Sequence, residues 1–243
     1  MERAPVTRLV AIHQPTFLPW LGWWDKLVRA DVLVLLDDVQ FPKKGGTWMN
    51  RVKLLVGGRP AWVTVPVDRA YHGVRTVRET AIDESTPWRR TLRQTLATSY
   101  GRSPAYSEAA DLLDAVLETE TRRLVDLNER AIQLAAQQLG LDTHKLVRQS
   151  DVGVAGTGTA LLVDLCRAVD GDAYLTGDGA GGYLQGDLFE RAQLQLVEQK
   201  FVPPVYLQQV PEHVPGLSFV DAVANIGWQA TSALVEHGAP RPP

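Results

Sequence analysis

The sequence predicts an α/β fold: a Rossmann-like, mainly parallel sheet interrupted by an inserted β-hairpin and a helical insertion. Three observations predict it. Two short apolar runs, Arg8 to His13 and Asp31 to Leu36, flank a helical pattern within about 30 residues, the length of one βαβ unit. A glycine pair, Gly57-Gly58, separates two strand-like runs. Beyond a long helical stretch, strand and helix patterns alternate again from Lys145.

Arg8 to His13 (RLVAIH) is apolar and ends abruptly in polar residues, as a buried strand does. Thr16 is expected to cap the next helix, with Pro19 in its first turn, where a missing N–H costs nothing. Phe17, Leu18, Leu21, Trp24, Leu27 and Val28 recur at helical spacing. Asp31 to Leu36 (DVLVLL) is the second strand, closed by Asp37-Asp38 and parallel to the first. Trp48 to Val56 and Ala61 to Val67 form a hairpin, an insertion over about residues 46–68. Residues 87–140 read as a helical insertion. Pro87 begins one helix. Leu112, Leu113, Val116 and Leu117 mark a second. Leu124, Leu127, Ala131, Leu134, Ala135 and Leu139 mark a third, which Gly140 ends. Lys145 to Gln149 and Ala173 to Thr176 are strands around a helix at Thr159 to Val169. A glycine loop, residues 177–182 (GDGAGG), follows, then a strand within Leu194 to Phe201. Proline-rich connectors at Pro203-Pro204, Pro211 and Pro215 lead to one or two helices from Phe219. Residues 1–243 are read as a single domain.

Composition narrows the function. In 243 residues, 45% are hydrophobic and 22% charged, which excludes a disordered or fibrous chain. A net charge of −3 gives no global basic balance for non-specific DNA binding. One cysteine, Cys166, excludes an internal disulfide framework and a multi-cysteine zinc site, and fits a reducing compartment. It lies on an apolar helical face and reads as an inert buried thiol. Residues 1–12 lack a long apolar run and nothing approaches the ~20 apolar residues of a bilayer span, so a cytoplasmic protein with no membrane partner is expected.

In open parallel sheets, ligands bind beyond the carboxyl ends of the strands. Three strands here end in polar groups: His13-Gln14; Asp37-Asp38 with Gln40 and Lys43 beyond; and Gly177-Asp178 with Tyr183 after the glycines. If the strands are neighbours, the three tips converge. His13 is a candidate general acid or base. One of Asp37 and Asp38 is expected to orient it or bind an amine, and the other to cap the next element. Lys43, Lys44 and Arg51 lie near Trp48 and Asn50, a set suited to gripping an anion against a flat aromatic wall. The glycine loop lacks the Walker lysine and the G-x-G-x-x-G placement, and is read as a pocket wall. No metal and no cofactor are expected, because the carboxylates are not joined by a His or Asp cluster at ligand spacing.

The string His13-Gln14-Pro15, Leu18-Pro19-Trp20, Gly22 and Asp25-Lys26 resembles the opening signature of the WbqC-like protein family. Later blocks match in order: Leu36-Asp37-Asp38-Val39-Gln40-Phe41, Lys43, Trp48-x-Asn50-Arg51, Thr64-Val65-Pro66-Val67, Tyr174-Leu175-x-Gly177 and Asn225-x-Gly227. The resemblance runs from about residue 9 to residue 227 and is densest before residue 67. Thr91 stands near the position where the family usually has a histidine.

Members of that family occur among genes of bacterial polysaccharide and natural-product assembly, and one is suggested to be a glycine transferase in O-antigen assembly. The resemblance therefore implies an acyltransferase or aminoacyltransferase that forms an amide. Its donor would be a loaded acyl or peptidyl carrier protein or an aminoacyl-tRNA, and its acceptor a small amine. On this reading His13 is the base, Asp37 or Asp38 its orienter or an ammonium site, and Gln14 and Asn50 oxyanion donors. Arg51 and Lys43 hold the donor phosphate, with Gln40, Trp48, Gly177, Asp178 and Tyr183 lining the substrate. A nucleotide-dependent ligase or nucleotidyltransferase, and a non-catalytic carrier-binding module, are the rival expectations.

Overall fold

The computed structural model describes residues 8–177 and 184–237 of the chain. Its centre is a five-stranded sheet built from β1 (Leu9–His13), β2 (Val32–Leu35), β5 (Leu146–Arg148), β6 (Ala173–Thr176) and β7 (Gln195–Glu198). The spatial order is β5-β2-β1-β6-β7, and every neighbouring pair is parallel. This is the Rossmann-like α/β arrangement that the alternating pattern predicts.

Both faces of the sheet are covered, which is why its strands read as unbroken apolar runs. Leu9, Ala11, Leu33, Leu35, Ala173 and Leu175 face a large core. Helices α1 (Leu21–Arg29), α2 (Trp88–Tyr100), α3 (Tyr106–Leu117), α4 (Leu124–Gln138) and α8 (Phe219–His237) contribute to that core, together with the hairpin β3 (Arg51–Val56) and β4 (Arg59–Thr64). Val10, Ile12, Val32, Val34 and Tyr174 face a smaller core with Leu161, Val163, Leu165 and Cys166 of α6 (Gly158–Ala168) and Phe189 of α7 (Gly186–Arg191). The short α5 (Gln149–Val152) directly follows β5. Cys166 is buried and burial pushes its thiol up to about 12, so it stays a protonated packing residue.

The first helix begins later than its apolar spacing suggests. Thr16 does not cap it: its hydroxyl donates to the Gln14 carbonyl, and α1 starts five residues on, after Trp20. A residue before proline disfavours the helical region, and Leu18, before Pro19, takes φ 44°. Phe17 and Leu18 still enter the core, from a loop instead of a helix. The last strand is also shorter than Leu194 to Phe201; Lys200, at φ 51°, turns the chain away after Glu198.

The insertions are tied to the strand tips by specific bonds. Buried Asn128 of α4 donates to the carbonyls of Pro15 (2.8 Å) and Met49 (2.7 Å), joining the loop after β1 to the loop before β3. Phe17 N donates to the Trp48 carbonyl and Ser218 N to the Lys53 carbonyl. Tyr100 of α2 accepts from Leu55 N and donates to buried Asp221 of α8, which Tyr206 and Gln208 also reach. Burial holds the Asp221 carboxyl above its usual range, with the hydrogen bonds opposing that shift. The 19-residue α8 breaks at Gly227, whose φ of 75° and ψ of 172° only glycine adopts freely.

Asn128→Ala leaves two buried carbonyls without a donor, and about 1–3 kcal/mol is lost for each such group. Urea unfolding should therefore show a stability loss of about 3 kcal/mol, and a loss below about 1 kcal/mol would mean the two loops are held by packing alone.

Candidate functional site

The parallel register aligns the strand ends. His13 of β1 pairs with Leu35 of β2, and Ala11 with Leu175 of β6, so residues 13–14, 36–38 and 177 leave the sheet on one edge as adjacent tips. Gln199, just past β7, lies on the same edge. The convergence of the first three tips, predicted from their polar endings, is thus realised for every described residue; Asp178 and Tyr183 lie outside the described residues.

His13 stands at the centre of this edge. Its Nδ1 lies 2.9 Å from the Gln14 carbonyl, an arrangement in which Nδ1–H donates and Nε2 keeps a lone pair. Trp20 packs edge-on at 5.4 Å between ring centroids and Trp23 at 6.4 Å. Burial lowers the imidazole to about 4, the cationic Lys26 adds to the lowering, and the bond to Gln14 opposes it. His13 is therefore neutral at physiological pH.

Lys26 is the residue that sequence reasoning missed. It is buried in α1, in a run where Leu21 to Leu27 are all buried. A Cβ on Gly177 would come within 3.2 Å of Lys26 Nζ, so the glycine at the β6 tip makes room for the ammonium. Gln199 completes the wall, its Nε2 donating to the Gly22 carbonyl (2.6 Å) and to Asp25 Oδ2 (2.8 Å). The signal was present: Asp25-Lys26 sits between Trp24 and Leu27 in a helix with no polar face for it.

The acidic pair does other work. Asp37 is fully buried and accepts from Ser150 N (2.9 Å) and Ser150 Oγ (2.6 Å), binding the β2 tip to α5. Asp38 pairs with Arg78 at 2.8 Å. Neither carboxylate bonds to the imidazole, because closer donors on residues far along the chain engage both. Gln14 is half-buried and, among the described residues, its side-chain amide makes no hydrogen bond. Asn50 is spent on structure, accepting from Thr47 N and donating to the Val65 carbonyl.

The basic group is rearranged as well. Lys43 turns outward, bonding the Tyr71 carbonyl and lying over that ring, and Gln40 is exposed in a bridge to Thr76. Arg51 lies 4.0 Å over the Trp62 ring, and Lys53 stands over both Trp62 and Trp48. Trp48 contacts Trp20 at 4.9 Å and Trp62 at 4.8 Å, so a line of rings joins the hairpin to His13. Thr91 lies exposed on α2, its hydroxyl on the Pro87 carbonyl.

A sequence profile of the WbqC-like protein family matches residues 14–233. The chain belongs to the WbqC-like protein family. The uncharacterized protein Rv1507c of Mycobacterium tuberculosis is 28% identical over 227 residues, covering 93% of this chain and 96% of that protein. No solved structure matches. The match spans both insertions, so the hairpin and helices are part of this WbqC-like fold. Among the described residues no helix is long and apolar enough to cross a membrane.

The lowered imidazole pKa makes a stability prediction. Unfolded, His13 takes a proton near 6.5; folded, near 4. Between those values the unfolded chain holds more protons, so stability falls as pH drops from about 6.5 toward 4. The full loss is on the order of 3 kcal/mol. The raised Asp221 carboxyl works in the opposite sense and is common to wild type and variant. In urea titrations at pH 7 and near pH 4.5, His13→Gln should lose clearly less stability than wild type. Equal losses would show that the ring is not held neutral.

Proposed function

We propose that this WbqC-like protein is an amide-forming aminoacyl or acyl transferase. It passes an activated acyl group, held as a thioester or ester and possibly glycyl in keeping with the family resemblance, to a small amine. The setting is bacterial polysaccharide or natural-product biosynthesis in the cytoplasm. The observation that carries the reading is a neutral imidazole beside a buried lysine, at the carboxyl edge of the three central strands. Such transfer is redox-neutral and the donor is already activated, so the reaction needs no cofactor.

The chemistry follows from the geometry. The amine attacks the acyl carbon, giving a tetrahedral intermediate with an oxyanion and a protonated nitrogen. Lys26 supplies the positive charge for the oxyanion, and the Gln14 amide is a second donor. His13, with a pKa of about 4, is too weak a base to deprotonate a free ammonium. It acts later, on the more acidic N–H of the intermediate. The resulting imidazolium is a strong acid and hands that proton to the leaving sulfur or oxygen. The C–N bond forms, the bond to the carrier breaks, and His13 returns neutral. No side chain has to become acylated, in keeping with the sealed Cys166. Trp20 and Trp23 keep water from the ring, which favours transfer over hydrolysis.

The test is incubation with loaded carrier protein or aminoacyl-tRNA and candidate amines, followed by mass spectrometry. His13→Ala should cut amide formation by at least ~100-fold and Lys26→Met by a similar ~100-fold, with thermal midpoints recorded for both. Wild-type rates in both folded variants would overturn the assignment. Product formation that requires ATP would replace it with the ligase reading.

A further inference from the structure

Residues 41–78 carry eight lysines and arginines and a single acid, Asp68, a formal charge of +7 within a chain whose total is −3. Arg75 pairs with Asp68 and Arg78 with Asp38. The other six, Lys43, Lys44, Arg51, Lys53, Arg59 and Arg69, make no ion pair among the described residues. A concentration of uncompensated charge on one insertion of an acidic protein is the footprint of an anionic partner.

The hairpin arranges part of this charge around aromatic rings. Lys53 and Trp62 are direct cross-strand partners, and Arg51 opposes Thr64 on the same side of the ribbon. Trp62 is 38% exposed, although large apolar side chains of this fold are otherwise mostly buried. Arg51 Nε is buried without a hydrogen-bond partner beside that ring. From Trp62 the rings of Trp48 and Trp20 lead to His13 through centroid distances of 4.8, 4.9 and 5.4 Å.

We propose that this face binds the single-stranded 3′ end of an RNA, so that the donor in the reaction above is an aminoacyl ester of RNA. Alternating aromatic faces and unpaired cations suit a strand that alternates bases and phosphates. A pantetheine arm carries one phosphate and no aromatic base, and leaves most of this set without a role. The inference rests on the amide-transfer reading for its chemistry. The amine's nitrogen bonds to the acyl carbon, the ester C–O bond breaks, and the terminal ribose oxygen leaves with the proton relayed by His13.

Binding can be measured without turnover, which separates this inference from the reading it rests on. The probe is a 5′-fluorescein single-stranded RNA of about a dozen nucleotides ending in CCA, followed by anisotropy across a salt series. Binding should weaken steeply with salt. The double substitution Arg51→Gln with Lys53→Gln should lower the log–log salt slope by about 1. Trp62→Ala should weaken binding at least ~5-fold with the slope unchanged, and Trp62→Phe should restore part of it. Arg167→Gln, on distant α6, should change nothing. If Trp62→Ala fails to fold, Lys53→Gln alone reads the same surface. RNA binding that is absent at low salt, or indifferent to these substitutions, overturns the inference. So does a holo carrier protein that binds in its place and is weakened by the same variants. RNA bound with the stated sensitivities but no amide formed would uphold this surface and sink the transfer reading instead.

Discussion

A parallel sheet covered on both faces has few places where a polar side chain can sit near its centre without a large desolvation cost. The carboxyl edge is one of them. In this protein β1, β2 and β6 are in register there, and the polar residues that follow each strand are delivered to adjacent points. The remaining architecture exists around that edge. Two apolar layers fix the strands, and Asn128 holds the loops that leave it. The glycine at the β6 tip keeps one place open for the Lys26 ammonium. Move the register by one residue and every strand residue would change faces, so the position of His13 is inseparable from the packing of the sheet.

The hairpin is coupled to this edge by aromatic contact instead of charge. Trp48 touches Trp20, which touches His13, while the cations of the hairpin stay on its outward side. The division has a physical reason. A guanidinium brought next to the imidazole would depress its basicity further, as Lys26 already does, whereas indole rings exclude water and carry no net charge. The insertion thus extends the surface available to a large substrate without adding to the electrostatic burden at the imidazole.

The strands were legible because burial on both faces leaves a run such as LVAIH with no alternation to misread. The family signature was legible for a similar reason, since it is concentrated in the short loops after those runs. What failed to show in the sequence is nonlocal. Asp37 looks like a partner for His13 until Ser150, 113 residues away, is brought to it by β5. Lys26 looks like a surface residue of an amphipathic helix until Gly177 and Gln199 close over it. Lys43 and Lys53 are alike on paper; the ladder register decides that Lys53 faces Trp62, while Lys43 finds a backbone carbonyl. Each miss is a side chain whose partner is chosen by topology, which spacing along the chain does not encode.

The pairing of a neutral histidine with a nearby cation also bears on the timing of the proposed transfer. Before reaction, Lys26 opposes protonation of His13, so the ring stays free to accept. When the oxyanion forms beside Lys26, its negative charge offsets that of the ammonium and attracts an imidazolium directly. The proton affinity of His13 therefore rises as the intermediate appears. It falls again when the carbonyl re-forms and the oxyanion vanishes, which drives the proton on to the leaving group. A histidine tuned near neutrality by solvent would be partly protonated before the amine arrived and would respond less to the charge created in the reaction. The burial that makes His13 a weak base at rest is what ties its proton affinity to the chemistry next to it.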